Sequence, residues 1–456
     1  MPPVVMKAFS LQLYRYASAL LAIPRVSIIV LRRLLQGEGS LSRRLKPLAL
    51  DLAFQREVFA LLRGFAPNIY VAKPLIRAYA NSGTALVCRN SDVREVLDRH
   101  QDFEVVYGPR MEAVTGGYNF FLGMQDGPTY SRDVSNMRLA VRRTDPEQLL
   151  VPLAQGWAEQ IIGGCGGQLD LPQQLGQQIP ALMVQQYFGI QTPQRQQLID
   201  WTTLLFWYLF VDLAADPDLD RRALEAGEQL RNAIDHEIQL RKASAGAPAP
   251  ADDVLQRLLG MQAAALPGLD DLGIRNYLFG FLIGAIPTLS AAASQIIEVL
   301  LDRPAVLAEA QAAARSQDQQ LLDGYIFEAF RFAPLNPVIY RRAVRKTTIA
   351  RGSWRARSIP AGTMVLASNL SAMFDPIQVQ HANRFWPQRP WYDYILWGYG
   401  MHTCAGAYIN RALLPVMLRP LLCQANLRRA PGAAGQIDRA GTPFPVHQQL
   451  RFDATS

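Results

Sequence analysis

The chain has 456 residues, half of them hydrophobic, and carries a formal charge of +8. Its four cysteines, Cys88, Cys165, Cys404 and Cys423, form no C-x-x-C pair, which excludes a zinc ribbon or a disulfide framework and fits reduced thiols in a cytoplasmic protein. The basic residues are spread out, with no basic arm interleaved with aromatics, so nucleic acid is excluded; an acidic protein or an anionic membrane surface suits the charge better.

Residues 1–45 form an apolar, basic segment containing "FSLQLYRYASALLAIPRVSIIVLRRLL". Arg15, Arg25, Arg32 and Arg33 interrupt it well short of the roughly 20 apolar residues that span a bilayer. It is expected to be a helix, either packed on the domain or lying at a membrane interface with snorkelling arginines, which would give peripheral membrane contact. Residues 46–456 are expected to form one catalytic domain. "TALVCRN" reads as a strand, and "SDVREVLDRH" as a helix with Ser91 at its N-cap. "RRALEAGEQLRNAIDHEIQLRKA" reads as a solvent-facing helix, followed by a loop in "SAGAPAPADD". "DDLGIRNYLFGFLIGAIPTLSAAASQIIEVLL" is apolar nearly all round, as a helix running through a core must be. "DGYIFEAFRFAP" is a further helix stopped by Pro334, and "TMVLASN" a strand after the turn "IPAG". The sum is mainly α with a small β region: a single large helical domain with a β annex. No G-x-G-x-x-G joins a strand to a helix, so a dinucleotide fold is excluded.

The densest run of glycines is "WGYGMHTCAG", Trp397 to Gly406, around Cys404. Gly398, Gly400 and Gly406 let the backbone approach closely, and "AYINRALLPVML" supplies a following helix whose N-terminus supports a thiolate. His402 stands where a donor could meet a cofactor carboxylate. Otherwise Cys404 would be an inert cysteine in a glycine turn.

Trp397, Gly400, Cys404 and Gly406 stand at the spacing of the signature loop of the heme-thiolate cytochromes P450, which this chain resembles. That family usually has Phe at the place of Trp397 and often Arg at that of His402. Upstream, "EAFR" resembles its E-x-x-R, and "RFWPQRP" its F-x-P-x-R. This implies a buried cluster of Glu328, Arg331 and Arg389. "MQDGPTYSRD" resembles the segment leading into a helix beside the heme, with Tyr130 where His is common and Arg132 matching. The resemblance implies the cytochrome P450 fold, heme b, Cys404 as the iron ligand, and Tyr130, Arg132, His402 and Arg341 as candidate partners of the heme propionates. Trp397 would stack under the heme or donate its indole N–H to the sulfur.

A P450-type monooxygenase acting on a lipophilic small molecule is therefore expected. Electrons would come from a ferredoxin, flavodoxin or reductase docked near Arg411 and Arg419. Trp201, Phe206, Trp207, Tyr208 and Phe210 are either core or the roof of a substrate cavity. Tyr107 to Met124 falls where the family has a mobile substrate loop, with Gly116–Gly117 as hinge and Phe120 and Phe121 as lining. In "FLIGAIPTLSAAA" the family's proton-relay alcohol, counted from Gly284, falls on Pro287, with Ile286 at the acidic position. Thr288 would point about 100° away on a regular helix, and Pro287 would kink it. That departure leaves a second expectation: a hydroperoxide isomerase, dehydratase or peroxygenase needing no reductant. A third is a non-catalytic heme protein binding a lipid or gas.

Overall fold

Apolar residues recurring at helical period put most of the chain into helices, and short β-branched runs are left to make three small sheets. The computed structural model describes the backbone of residues 3–36, 40–45, 48, 51–192, 194–244, 252–316 and 318–453, and the side chains of these except 3–15, 36, 42 and 43. Most of the expected "SAGAPAPADD" loop lies outside the described residues. The chain divides into two units, Met1–Glu104 with Phe327–Thr403, and Val105–Ile326 with Cys404–Ser456.

The first unit is built on a five-stranded sheet. Its strand order is Asn68–Val71, Gly83–Val87, Thr363–Ala367, Ile339–Ala343 and Phe103–Glu104. The two strands legible in sequence, Gly83–Val87 and Thr363–Ala367, are adjacent and parallel, register Ala85 to Val365. Both are almost wholly buried, which is why they read as continuous apolar runs. Helix Leu52–Phe65 is capped by Asp51, whose carboxylate accepts from Phe54 N–H at 2.9 Å. The N-terminal helix, Pro3–Gln36, packs against it.

The helix expected to begin at Ser91 begins one residue earlier, at Asn90, and Ser91 is not its cap. Asp375, from the far end of the sequence, takes that role. It accepts from Asn90 N–H at 3.1 Å and from Arg89 Nε at 2.7 Å, wholly buried. A charged acceptor delivered by the fold serves this helix end better than a local hydroxyl, and the Ser91 hydroxyl turns to Asp92 instead, at 2.9 Å.

In the second unit, the core helix Asp271–Leu301 is packed by Arg195–Phe206, Pro217–Ala243 and Ala407–Leu422. Asp270 caps it, accepting from Gly273 N–H at 2.8 Å. Among the described residues it is the one helix long and apolar enough to cross a membrane, and 78% of its most apolar window is buried inside the protein. The backbone stays α-helical through Pro287. The aromatic run from Trp201 widens into a looser turn at Trp207–Val211. Phe206, buried, lies 4.7 Å from Phe210 and 6.0 Å from Phe444, and Tyr208 is buried as well, whereas Trp201, Trp207 and Phe210 are half-buried. A three-stranded sheet of Gln168–Asp170, Gln449–Asp453 and Ala425–Arg429 completes the unit.

Asp375→Ala should cost roughly 3–5 kcal/mol, because it strands the buried Arg89 guanidinium. Urea unfolding would measure it. A loss below about 1 kcal/mol, the scale of an exposed pair, would mean that the helix end does not depend on this carboxylate.

Candidate functional site

Within the first unit, Glu328 is fully buried and accepts from two arginines. Arg331 donates Nη2 to Oε1 at 2.5 Å and Nε to Oε2 at 3.1 Å. Arg389 donates Nε to Oε2 at 2.9 Å and Nη2 to Oε1 at 3.2 Å. The Tyr394 hydroxyl and the Trp386 N–H complete the shell, each at 3.1 Å. Burial would raise the Glu328 carboxyl, but Arg331 and Arg389 hold it below its ordinary value. The surplus positive charge is met by a second buried carboxylate, Asp393, 3.6 Å from Arg389, and by backbone: Arg331 donates to the carbonyls of Met373, Ala382 and Arg384, and Arg389 to those of Gln380 and His381. The cluster thus fastens the Gln319–Phe332 helix to the loop preceding the cysteine stretch. Tyr394 and Trp386 carried no sequence signal, since nothing local marks a residue that completes a distant carboxylate's shell.

Along that loop, Trp397 is held among aromatics. Trp391 stacks on it at 5.7 Å, and Phe327 and Phe330 meet it at 5.8 and 6.2 Å. Gly398 and Gly400 have φ of +86° and +73°, where a side chain is strained; a Cβ at Gly400 would also lie 3.0 Å from the Leu97 carbonyl oxygen. His402 is buried in the tight turn Gly400–His402. Arg341 is buried on strand Ile339–Ala343, its Nη1 donating to the Tyr340 carbonyl at 2.8 Å.

Cys404 differs from the other thiols. Cys88 is sealed in the first unit, its thiol pushed up to about 12 by burial, and is inert. The Cys404 side chain is exposed, yet the surrounding protein desolvates it and raises its thiol, opposed by hydrogen bonds from the Gly406 and Ala407 N–H groups. Gly406 has an ordinary φ of −85°, so its backbone does not require glycine, contrary to the sequence expectation. Its bare Cα leaves space beside the sulfur, 3.9 Å from where a Cβ would stand. Those two amides open the helix Ala407–Leu422, so its N-terminus points at the sulfur. Arg411 lies exposed on this helix, whereas Arg419 is taken up by the Ala314 carbonyl at 2.9 Å and Gln319 at 2.6 Å.

The core helix is buried around its middle except at Gly284, Ala285 and Thr288, and a Cβ on Gly284 would meet nothing within 4 Å. These three residues form a strip facing open space. Thr288 lies on that strip, its hydroxyl donating to the Gly284 carbonyl, while Pro287 and Ile286 are buried off it. The sequence count placed the alcohol position at Pro287. The helix returns to the same face four residues after Gly284, which brings Thr288 there without a break. Ala285 escaped the sequence reading because an alanine on a core helix carries no signal.

Farther along the helix, Phe121 stacks on Tyr277 at 5.7 Å and lies 5.6 Å from Phe281, which stacks on Phe188 at 5.3 Å. Phe120 packs against Phe279 at 6.2 Å. Tyr130 is half-buried at the start of helix Pro128–Ala140. Arg132 pairs with Asp133 at 2.8 Å, and Asp133 also accepts from the Tyr277 hydroxyl at 2.8 Å.

Comparison with known proteins bears on the family and the fold. The family model described as Cytochrome P450 matches residues 181–424. The chain is 26% identical to the cyclomarin C epoxidase of Salinispora arenicola over 306 residues, 66% of this chain and 73% of that protein. It is 30% identical to a bifunctional dioxygenase–epoxy alcohol synthase of Fusarium oxysporum over 141 residues, 31% of this chain but only 11% of that protein. The ligand-free structure of cytochrome P450 TbtJ1 superposes with a TM-score of 0.70 at 22% identity, covering 89% of this chain and 97% of that one, which establishes the fold.

The lowered Glu328 carboxyl has a sign in pH. A depressed folded-state value stabilises above the unfolded carboxylate value, roughly 4.3, and that contribution is lost as pH falls through the folded value. Glu328→Gln should therefore flatten the acid limb of stability while lowering its neutral plateau by roughly 3–5 kcal/mol. Urea unfolding from neutral to acid pH would show both; an unchanged acid limb would remove the carboxylate from the stability account.

Proposed function

Since the chain belongs to the cytochrome P450 family, whose cofactor is heme b and whose reaction is monooxygenation, we propose that Cys404 is the axial thiolate and that the enzyme oxygenates a lipophilic small molecule, drawing electrons from a ferredoxin- or flavodoxin-type donor. The observation that carries this reading is the Cys404 thiol, exposed yet desolvated by the surrounding protein, at the start of helix Ala407–Leu422, whose Gly406 and Ala407 N–H groups oppose the rise. When bound, heme supplies iron chemistry that a thiolate ligand biases toward O–O cleavage. Cys404 would enter as a thiolate, its proton displaced by the metal, and the Gly406 and Ala407 amides would bear part of the sulfur's charge.

Gly284 and Ala285 leave room beside the core helix, and Thr288 supplies a hydroxyl there. With its own proton on the Gly284 carbonyl, Thr288 Oγ1 is oriented to accept a hydrogen bond from a water or substrate in that space. Tyr130 and Arg132, on helix Pro128–Ala140 in the same unit as Cys404, are proposed to meet the heme carboxylates. The aromatic wall of Phe120, Phe121, Phe188 and Phe281 selects for an apolar substrate. Exposed Arg411 suits an acidic electron donor.

A second reading, oxygen transfer from a hydroperoxide without reductant, is favoured by one observation. The strip carries a hydroxyl but no carboxyl, because Ile286 and Pro287 fill the adjoining positions. Similarity to an epoxy alcohol synthase points the same way.

Cys404→Ser should abolish the long-wavelength Soret band of the reduced carbon monoxide complex, while Cys423→Ser keeps it. The reverse pattern would move the ligand. Assays should pair a fatty-acid hydroperoxide alone with lipophilic substrates plus ferredoxin, reductase and NADPH. Product only with reductant, falling roughly 100-fold in Thr288→Val, supports the monooxygenase, in keeping with the usual worth of a positioned proton-transfer group. Product without reductant, indifferent to Thr288→Val, establishes the hydroperoxide reading.

A further inference from the structure

The N-terminal helix, Pro3–Gln36, is apolar on two faces, and only one of them is used. Ala19 and Ala22 are fully buried on the side that packs against Leu52–Phe65. Leu20, Leu21, Ile28, Leu31 and Leu35 are 48–76% exposed. At about 100° per residue these five fall within an arc of about 100° opposite the alanines. Scattered exposed leucines need no explanation, but a continuous stripe on one helix does. Packing inside this chain therefore accounts for the small residues and leaves the large ones facing outward.

The stripe continues beyond the helix. Tyr16, 40% exposed, meets the ring of Phe65, 52% exposed, at 6.2 Å. Six residues on, "VAKPLIR" alternates exposed Val71 and Leu75 with exposed Lys73 and Arg77. Charge is patterned too. Neither residues 1–36 nor residues 66–80 contain an Asp or Glu, whereas Arg25, Arg32 and Arg33 are exposed on the helix. On the helical wheel Arg25 and Arg32 border the apolar arc. Arg25 pairs with Glu57 at 3.5 Å and remains 60% exposed.

An apolar stripe bordered by cations and free of acids matches a lipid headgroup boundary, where leucines enter the acyl region and arginines reach phosphates. A second copy of this chain would bring the same cations against themselves, which disfavours a self-association seam. The helix is interfacial rather than spanning, because its arginines interrupt the apolar run: at 34 residues it is long enough to cross a membrane but, unlike the core helix, not apolar enough.

We propose that the outward face of Pro3–Gln36, together with Phe65 and the Val71–Arg77 segment, docks the protein on an anionic bilayer surface, with the helix lying in the membrane plane. The proposal stands apart from the heme chemistry and is tested without it. Full-length holoprotein is sedimented with vesicles of phosphatidylcholine alone and of phosphatidylcholine with phosphatidylglycerol. Two double variants at exposed positions, Leu20→Glu with Leu31→Glu and Arg25→Gln with Arg32→Gln, follow. The heme absorbance of each reports that it has folded, and light scattering reports self-association.

The expected result is binding to the anionic vesicles that weakens with salt, falls at least roughly tenfold in each double variant, and is weak on phosphatidylcholine alone. Absence of binding to anionic vesicles at low salt would overturn the proposal. So would binding that neither double variant reduces, equal binding to both vesicles, or a dimer broken by Leu20→Glu with Leu31→Glu in a protein that ignores vesicles.

Discussion

A buried carboxylate between two guanidinium groups is the constraint on which the cysteine loop depends. Glu328, Arg331 and Arg389 have fully buried side chains and together carry one net positive charge. Such a group is tolerable only if every lone pair and proton is met, and here the partners are mostly backbone carbonyls between Met373 and Arg384. The requirement works in both directions. The loop satisfies the charges, and the charges fix the loop, from which Trp386, Tyr394 and Trp397 project. Asp375 repeats the device on a smaller scale, joining Arg89 and the start of helix Asn90–Asp98 to the same stretch of chain.

The thiol itself is prepared differently. Charge partners do not set it up; burial raises it, and two amides at a helix N-terminus oppose that. A cysteine so placed is a poor free thiolate, because burial disfavours the charge that the amides offset only in part. Cys88, by contrast, is sealed away from solvent, whereas Cys404 is exposed.

The core helix accommodates a proline without losing its open strip. Pro287 removes a backbone N–H and fills a place where a polar side chain could have stood, yet the helix continues and Thr288 keeps its position on the open face. The open strip therefore carries a hydroxyl, and Ile286 and Pro287 beside it are buried.

By itself the sequence determined the class of fold, the course of the core helix, the two parallel strands, the E-x-x-R helix and the cysteine that differs from the rest. All of these are short-range signals: a periodicity, a β-branched run, a glycine spacing, and so they are written locally. The tertiary structure decided what depends on partners far away in the chain. It gave the cap of Asn90–Asp98 to Asp375 rather than Ser91, and completed the Glu328 shell with Tyr394 and Trp386. It put Thr288 rather than Pro287 on the open strip, and turned Arg419 from a surface charge into a tie for the Ala314 carbonyl. A buried charge takes whichever acceptor the fold brings within about 3 Å, and a helix face opens only where no other element covers it. Neither condition can be read from neighbouring residues.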